Sequence, residues 1–508
     1  MNNPVVIAGA GPVGLLLACE LRLLGVETVV LERLAHPREE SLGSALNAGT
    51  VEILDQREVM AAIRADGFEW PLAMFAGYPL DPAALPERHS STLIVGQSNV
   101  ERRLAQYALK LGAEIRRGQE ITGLLQRATG VEVTVRETAT GRSSTVAGRY
   151  LVGCDGSDST VRTLAGIAFT GEELPFHGLI GDLEVEPGDE LMQHLGPEQT
   201  PFGPYMLSPV GENVLRIALG EFGAEPPSRE QEPTLAELRA LAERMTGRPM
   251  TTGRTRWLLR WYNVNKQAEQ YRKGDVFLAG DAAHVQFPLS GMALYSGLED
   301  AINLGWKLAA AVTGQAGQAL LDSYHAERHP VGARSVLTSR AQVALTHPVD
   351  RIGPLRELFG ELVKLPEVNS YLVELSCGLG VTYPGNSPEV PGHPLLGRRL
   401  VNAELVTEQG PTTVARTLHP ARGVLLDLSD GTVALPDLAG WQDRVRVVTA
   451  EPAAEIAAPV VLLRPDGRVA WAGPLEGAKE PDAGLRAALS TWFGAPLPVP
   501  TTAAAGAK

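Results

Sequence analysis

At 508 residues the chain is too long for one core and, at roughly 150 residues per domain, predicts about three units. Its hydrophobic content of 44% is that of a globular protein, and no apolar run approaches the ~20 residues that cross a bilayer, so no membrane span is expected. The net charge of −14, from 45 basic and 59 acidic side chains, argues against nucleic acid or an anionic membrane as partner, since no basic patch offsets it.

The opening Met1-Asn2-Asn3-Pro4 has no basic n-region, so no signal peptide and a cytoplasmic protein are expected. Val5-Val6-Ile7-Ala8 reads as a buried strand, followed by Gly9-Ala10-Gly11-Pro12-Val13-Gly14 and a helical stretch from Leu15 to Leu24. G-x-G-x-x-G between strand and helix is a dinucleotide turn: Gly9 permits the bend, Gly11 lets a pyrophosphate reach the backbone, and Gly14 lets helix and strand pack. The helix N-terminus then receives the phosphate charge. A second strand, Thr28 to Leu31, ends at Glu32, 18 residues beyond Gly14, with Arg33 beside it. A carboxylate there accepts from ribose hydroxyls and repels a 2′-phosphate, so the pattern predicts FAD or NAD rather than NADP.

Tyr150-Leu151-Val152-Gly153 leads into an Asp155-Gly156 turn, which on local grounds alone could be purely structural. Leu179 to Tyr262 contains alternating stretches such as Asn213-Val214-Leu215-Arg216-Ile217-Ala218, as in an antiparallel sheet roofing a cavity. Asp275 to Gly280 is another strand ending in an acid, Asp281, and Leu298 to Val312 has helical apolar spacing. Gln318 to Gly378 reads as helical. Beyond His393, Val424–Leu428, Val445–Val448, Val460–Leu463 and Val469–Trp471 read as strands, with a hairpin at Asp466-Gly467. Cys19, Cys154 and Cys377 form no C-x-x-C, so no disulfide scaffold and no metal site are expected.

These motifs resemble the FAD-dependent monooxygenases of the hydroxybenzoate-hydroxylase superfamily, in its aromatic polyketide hydroxylase branch. Gly9/Gly11/Gly14 with Glu32, Asp155-Gly156 and Gly280-Asp281 match its three fingerprints in order. The likeness continues through Asn303-Leu304-Gly305-Trp306-Lys307-Leu308-Ala309, Tyr324-His325-Ala326-Glu327-Arg328-His329-Pro330 and His393-Pro394-Leu395-Leu396-Gly397. It implies an α/β fold with a Rossmann-like FAD-binding domain (1–175 and 271–392, with linking helices), a substrate-binding β-sheet domain (176–270), a thioredoxin-like C-terminal domain (393–495) built as strand, helix, strand, hairpin and strand, and a flexible tail (496–508). The C-terminal unit holds no cysteine and so no thiol redox chemistry. The resemblance also implies FAD as cofactor: Glu32 on the adenosine ribose, Asp281 on the ribityl chain, and Gln97 and Arg102 along the sugar-phosphate side. Gly9, Gly11, Pro12, Gly14, Arg33, Asp155, Pro288 and Gly291 complete the expected FAD-binding set. His284 reads as a packed helix-start residue.

The chain departs from this family at the flavin ring. Hydroxylases carry P-x-G-G-Q-G-x-N after the second acidic strand, where glycines let helix N-terminal N–H groups approach a ring that gathers negative charge on reduction. Here the segment is Pro288-Leu289-Ser290-Gly291-Met292-Ala293-Leu294-Tyr295. Polyketide hydroxylases also place Arg at the position of Gly49, and hydroxybenzoate hydroxylases place it two residues earlier, where this chain has Asn47. Every motif for the ADP and ribityl portions is intact, while those that tune the isoalloxazine are altered.

Two activities follow. One is a non-redox cyclase with structural FAD, like the superfamily's offshoot of [4+2] cyclases, which needs a shaped apolar cavity and no fixed proton donor. The other is an NAD(P)H- and O2-dependent hydroxylase of an aromatic polyketide. A non-enzymatic FAD-bound protein is a third reading. A small-molecule polyketide is the expected partner; the substrate's identity, any homo-oligomer and the catalytic residues stay open.

Overall fold

The computed structural model describes residues 3–85, 91–250, 253–289, 291–383, 393–430, 432–433, 435, 437–473 and 483–497. β1 (Val5–Ala8) is apolar and buried throughout, and the chain turns through Gly11 into α1 (Pro12–Leu23), with proline at the first helical position, where a missing N–H costs nothing. β2 (Thr28–Glu32), α2 (Ala48–Asp55), α3 (Gln97–Lys110), β3 (Glu114–Arg117) and β4 (Tyr150–Gly153) follow.

The chain then leaves to build a second sheet from β5 (Phe169–Glu184), β6 (Gly196–Gln199), β7 (Pro204–Gly211), β8 (Val214–Phe222) and, after α4 (Leu235–Thr246), β9 (Arg254–Ala268). It returns at β10 (Val276–Leu278), parallel to β4, in a sheet ordered β10–β4–β1–β2–β3. The short β11 (His284–Val285) pairs with β9, so the two sheets are joined at the residues just after Asp281. In the second sheet Leu179, Leu183, Leu215, Ile217 and Leu219 pack with Leu238 and Leu241 of α4. The pleat turns their neighbours to the opposite face, where Ile180 lies between Ala218 and Leu259, and Phe176 beside Phe222.

α5 (Met292–Val312) is buried nearly all round; it begins six residues before the apolar spacing suggests, with Gly291, at φ +67°, as its N-cap. α6 (Gln318–Ala344), α7 (Val349–Leu362) and α8 (Pro366–Cys377) lead to the C-terminal unit. There β12 (Gly423–Asp427), β13 (Val445–Thr449), β14 (Val460–Leu463) and β15 (Val469–Gly473) form a sheet ordered β13–β12–β14–β15, parallel between β12 and β13 and antiparallel beyond. α9 (Ala483–Phe493) covers it through Leu485, Leu489 and Phe493. No helix separates β12 from β13 among the described residues: 437–444 are coil and turns, and Gly440 at φ +95° cannot continue a helix. No helix of the described residues is long and apolar enough to cross a membrane.

Candidate functional site

β1, β2, β4 and β10 bring Gly9, Glu32, Asp155 and Asp281 to their carboxyl ends, where open α/β sheets bind ligands. Gly9 sits at φ +98°, and a Cβ there would overlap the backbone of Cys154. Gly14 packs against Gly9 just as closely. At Gly11 a Cβ would meet no atom within 4 Å, and the N-terminus of α1, where Pro12 is the first helical residue, carries no side-chain cap. Glu32 is fixed from both sides: Oε2 accepts from the Ala10 N–H at 2.8 Å and Oε1 from the Leu34 N–H at 2.8 Å. Arg33 beside it is exposed.

Asp281 follows Gly280 in a tight turn against Val13 of α1 and Gly297 of α5. It is accessible yet enclosed by protein, so its carboxyl lines a crevice rather than the outer surface. Burial pushes that carboxyl above the usual carboxylate range, with His284 pulling the other way. It accepts no hydrogen bond from a described residue. Asp300 of α5 anchors the turn: Oδ2 accepts from the Gly280 N–H at 3.0 Å and shares a 2.8 Å hydrogen bond with His284 Nε2, while Oδ1 accepts from Arg328 Nε at 2.7 Å. Although burial opposes it, Arg328 and His284 hold the Asp300 carboxyl below its ordinary value.

Of the remaining expected residues, Gln97, Arg102 and Asp155 are engaged within the protein. Gln97 accepts from the Gly43 N–H at 3.2 Å and donates to Glu101 at 2.8 Å. Arg102 donates to Asn99 at 2.8 Å and Asp66 at 3.1 Å, on the exposed side of α3. Ser159 caps the short helix Thr160–Leu164, and Asp155 supports that N-terminus, accepting from Ser159 Oγ at 2.6 Å and the Val161 N–H at 3.0 Å. Pro288 is exposed and Gly291 lies 4.0 Å, by its Cβ direction, from the Ala45 carbonyl. Ser290 is outside the described residues.

The departures from the hydroxylase pattern meet in space. A Cβ on Gly49 would lie 2.7 Å from Tyr295 Cε2 and would overlap the Cys377 carbonyl, and one on Gly378 would lie 2.6 Å from Tyr295 Cδ1. The Tyr295 ring is thus slotted between two glycines. Its hydroxyl stands 2.8 Å from both Glu299 Oε2 and the Gly378 carbonyl. Asn47 caps α2, its Oδ1 accepting from the Thr50 N–H at 2.9 Å, while its amide donates to the Ser376 carbonyl at 3.2 Å. Met292 is buried, its sulfur accepting from Gln342. Sequence reasoning flagged these residues singly; Glu299, Asp300 and Arg328 it assigned no role, although two adjacent acids in an apolar helical stretch are a signal of buried pairing.

Where the second sheet meets the segment before Pro288, Phe176, Phe222, Trp261 and Phe287 pack ring to ring, with centroids 4.8–5.6 Å apart. Phe176 and Phe287 are buried, Phe222 and Trp261 are part-exposed, and Ile180, Ala218 and Leu259 on the same face of the sheet are half-buried.

The crevice fits an ADP-containing flavin: open space at Gly11, uncapped amides at α1, and an unpartnered carboxylate at Asp281. A family model described as an FAD binding domain matches residues 2–339, and one described as aromatic-ring hydroxylase, C-terminal, matches 393–496. The chain is 47% identical to a dialkyldecalin synthase from Streptomyces rugosporus, covering 97% of this chain and 99% of that one. It is 41% identical to a 12-dehydrotetracycline 5-monooxygenase/anhydrotetracycline 6-monooxygenase from Streptomyces rimosus subsp. rimosus, covering 98% and 100%. Among solved structures it resembles the Diels-Alderase PyrE3 of pyrroindomycin biosynthesis (TM-score 0.87, 47% identity, 97% of this chain and 100% of that one). It equally resembles the OxyS anhydrotetracycline hydroxylase from Streptomyces rimosus (TM-score 0.89, 41% identity, 98% and 100%).

Proposed function

Because the chain belongs to the FAD-binding aromatic-ring hydroxylase family, we propose that it tailors a polyketide as a non-redox cyclase, closing a ring by intramolecular [4+2] cycloaddition around a structural FAD. The observation that carries this reading is the slot of Gly49, Tyr295 and Gly378. It fills with a phenol ring the volume beside the first turn of α5 and, together with the Cys377 carbonyl, leaves no space for a side chain at Gly49. Asn47, the other position for a cation, is committed to Thr50 and Ser376.

Bound FAD supplies shape and binding energy in this account rather than electrons. The chain's own work is to hold a flexible substrate in a near-attack arrangement, which alone can be worth ~7–11 kcal/mol. Two C–C bonds form as the π electrons of diene and alkene shift; no atom enters or leaves and no proton moves. The part-exposed rings of Phe222 and Trp261, backed by the buried Phe176 and Phe287, and the half-buried Ile180 and Leu259 suit that task, since apolar surface excludes water and orients without hydrogen bonds.

The hydroxylase reading is favoured by one feature: the N-terminus of α5 follows Gly291 with no side-chain cap, and its backbone N–H groups do not depend on the altered side chains. Mixing the FAD-loaded protein with NADPH or NADH anaerobically, with candidate substrate, separates the two. Unbleached flavin and a product of unchanged mass are expected; rapid bleaching that substrate accelerates would overturn the cyclase.

A further inference from the structure

We propose that Glu299 is a positioning residue through which the C-terminal unit holds both the first turn of α5 and the Asp281 turn in register for FAD. Glu299 is 1% exposed, one helical turn beyond Tyr295. Its Oε1 accepts from Arg399 Nη2 at 2.8 Å and from Arg468 Nη2. Both arginines lie in the segment that matches the C-terminal family model. Its Oε2 accepts from Arg328 Nη1 at 2.8 Å and faces the Tyr295 hydroxyl.

Two routes leave this carboxylate toward the crevice. The phenol of Tyr295 has a single proton for two acceptors, Glu299 and the Gly378 carbonyl, so it ties the hub directly to the first turn of α5. Arg328 bridges Glu299 to Asp300, and Asp300 holds the Gly280 N–H immediately before Asp281. Four hydrogen-bonded links therefore connect the Arg468 guanidinium of the C-terminal unit to the turn that presents the crevice carboxylate. Charged groups in so dry a setting cannot exchange their partners for water, so displacement at one end is passed along rather than relaxed.

A plain docking role for the same cluster makes a different prediction, and the molecule contains the control. Glu20 and Arg57 form another buried pair, with Arg57 donating to the carbonyls of Leu418 at 2.9 Å and Pro465 at 3.2 Å in the same C-terminal unit. None of the hydrogen bonds of Arg57 reaches Tyr295 or the Asp281 turn.

The test uses the full chain carrying Glu299→Gln, Arg468→Met, Arg57→Met or Tyr295→Phe. FAD affinity is measured by fluorescence titration of the apoprotein, the bound flavin by visible circular dichroism, and stability by thermal melting. Glu299→Gln and Arg468→Met should weaken FAD about tenfold or more, the scale of an ordinary coupling between sites, and change the flavin dichroism. Arg57→Met should lower the melting temperature and leave both flavin readouts as in the parent. Tyr295→Phe, which removes no charge and keeps the ring, secures the test if a charge variant fails to fold: it should alter the flavin dichroism. Unaltered dichroism in Tyr295→Phe, unchanged FAD binding in Glu299→Gln, or equal flavin losses in Arg57→Met would each overturn the proposal.

Discussion

The Tyr295 ring stands so close to Gly49 that a single added carbon at Gly49 would lie 2.7 Å from its Cε2. Two positions that differ from the hydroxylase pattern are thus packed against each other, with the Cys377 carbonyl closing the same space at Gly49. Gly49→Ala should cost about 1–3 kcal/mol as overpacking, read as a lower melting temperature. Adding Tyr295→Ala should bring a penalty smaller than the sum of the two single changes, since the ring is then gone and only the Cys377 carbonyl still obstructs. A Gly49→Ala protein that melts like the parent would contradict this.

Gly11 has ordinary extended backbone angles, φ −76° and ψ −179°, and open space at its Cβ. Gly11→Val should therefore fold as apoprotein but obstruct the pyrophosphate. The expected result is a colourless protein with parental far-ultraviolet dichroism, lacking only the stabilisation that FAD lends by mass action. A yellow Gly11→Val protein would show that the pyrophosphate lies elsewhere.

Asp281 sets stability against binding. Its native pKa is raised, so the native carboxyl keeps its proton to higher pH than the unfolded one, and this group's contribution to stability falls as pH rises from the ordinary carboxylate range through the raised value. Asp281→Asn should raise the melting temperature of the apoprotein at pH 7. It should also weaken FAD by roughly tenfold to a hundredfold, the ~1.5–3 kcal/mol of a charged hydrogen bond. Paired melts and titrations check both signs.

Lys307, buried and 2.7 Å from Glu327, is pushed down to about 8 by burial, with Glu327 pulling the other way. Between about 8 and the ordinary value of 10.5 the unfolded chain holds a proton that the native chain has released, so this group's contribution to stability rises with pH across that window. Lys307→Met should remove that part of the slope in urea unfolding measured from pH 8 to 10.5. An unchanged slope would place the titration elsewhere.

The fold was legible where local pattern and tertiary role coincide. Val5–Ala8, the glycine turn and Glu32 carry their geometry in spacing alone, and Leu215, Ile217 and Leu219 alternate as a half-buried strand must. The start of α5 is not legible in local spacing because Met292 and Tyr295 are buried by Gln342, Gly49 and Gly378, distant in sequence. The helix expected between β12 and β13 gave way to turns at Gly440. The Glu299 hub was invisible because Arg468 is 169 residues away, and no periodicity encodes a contact of that range.

Replacing the bound FAD with its 5-deaza analogue, which binds alike but cannot support oxygen activation, tests the central claim most directly. If the flavin is a structural group, the analogue-loaded protein converts the linear substrate at the parental rate to an isomer of the same mass. Loss of conversion with the analogue, together with an O2-dependent gain of one oxygen atom in the product of the native protein, would contradict the account.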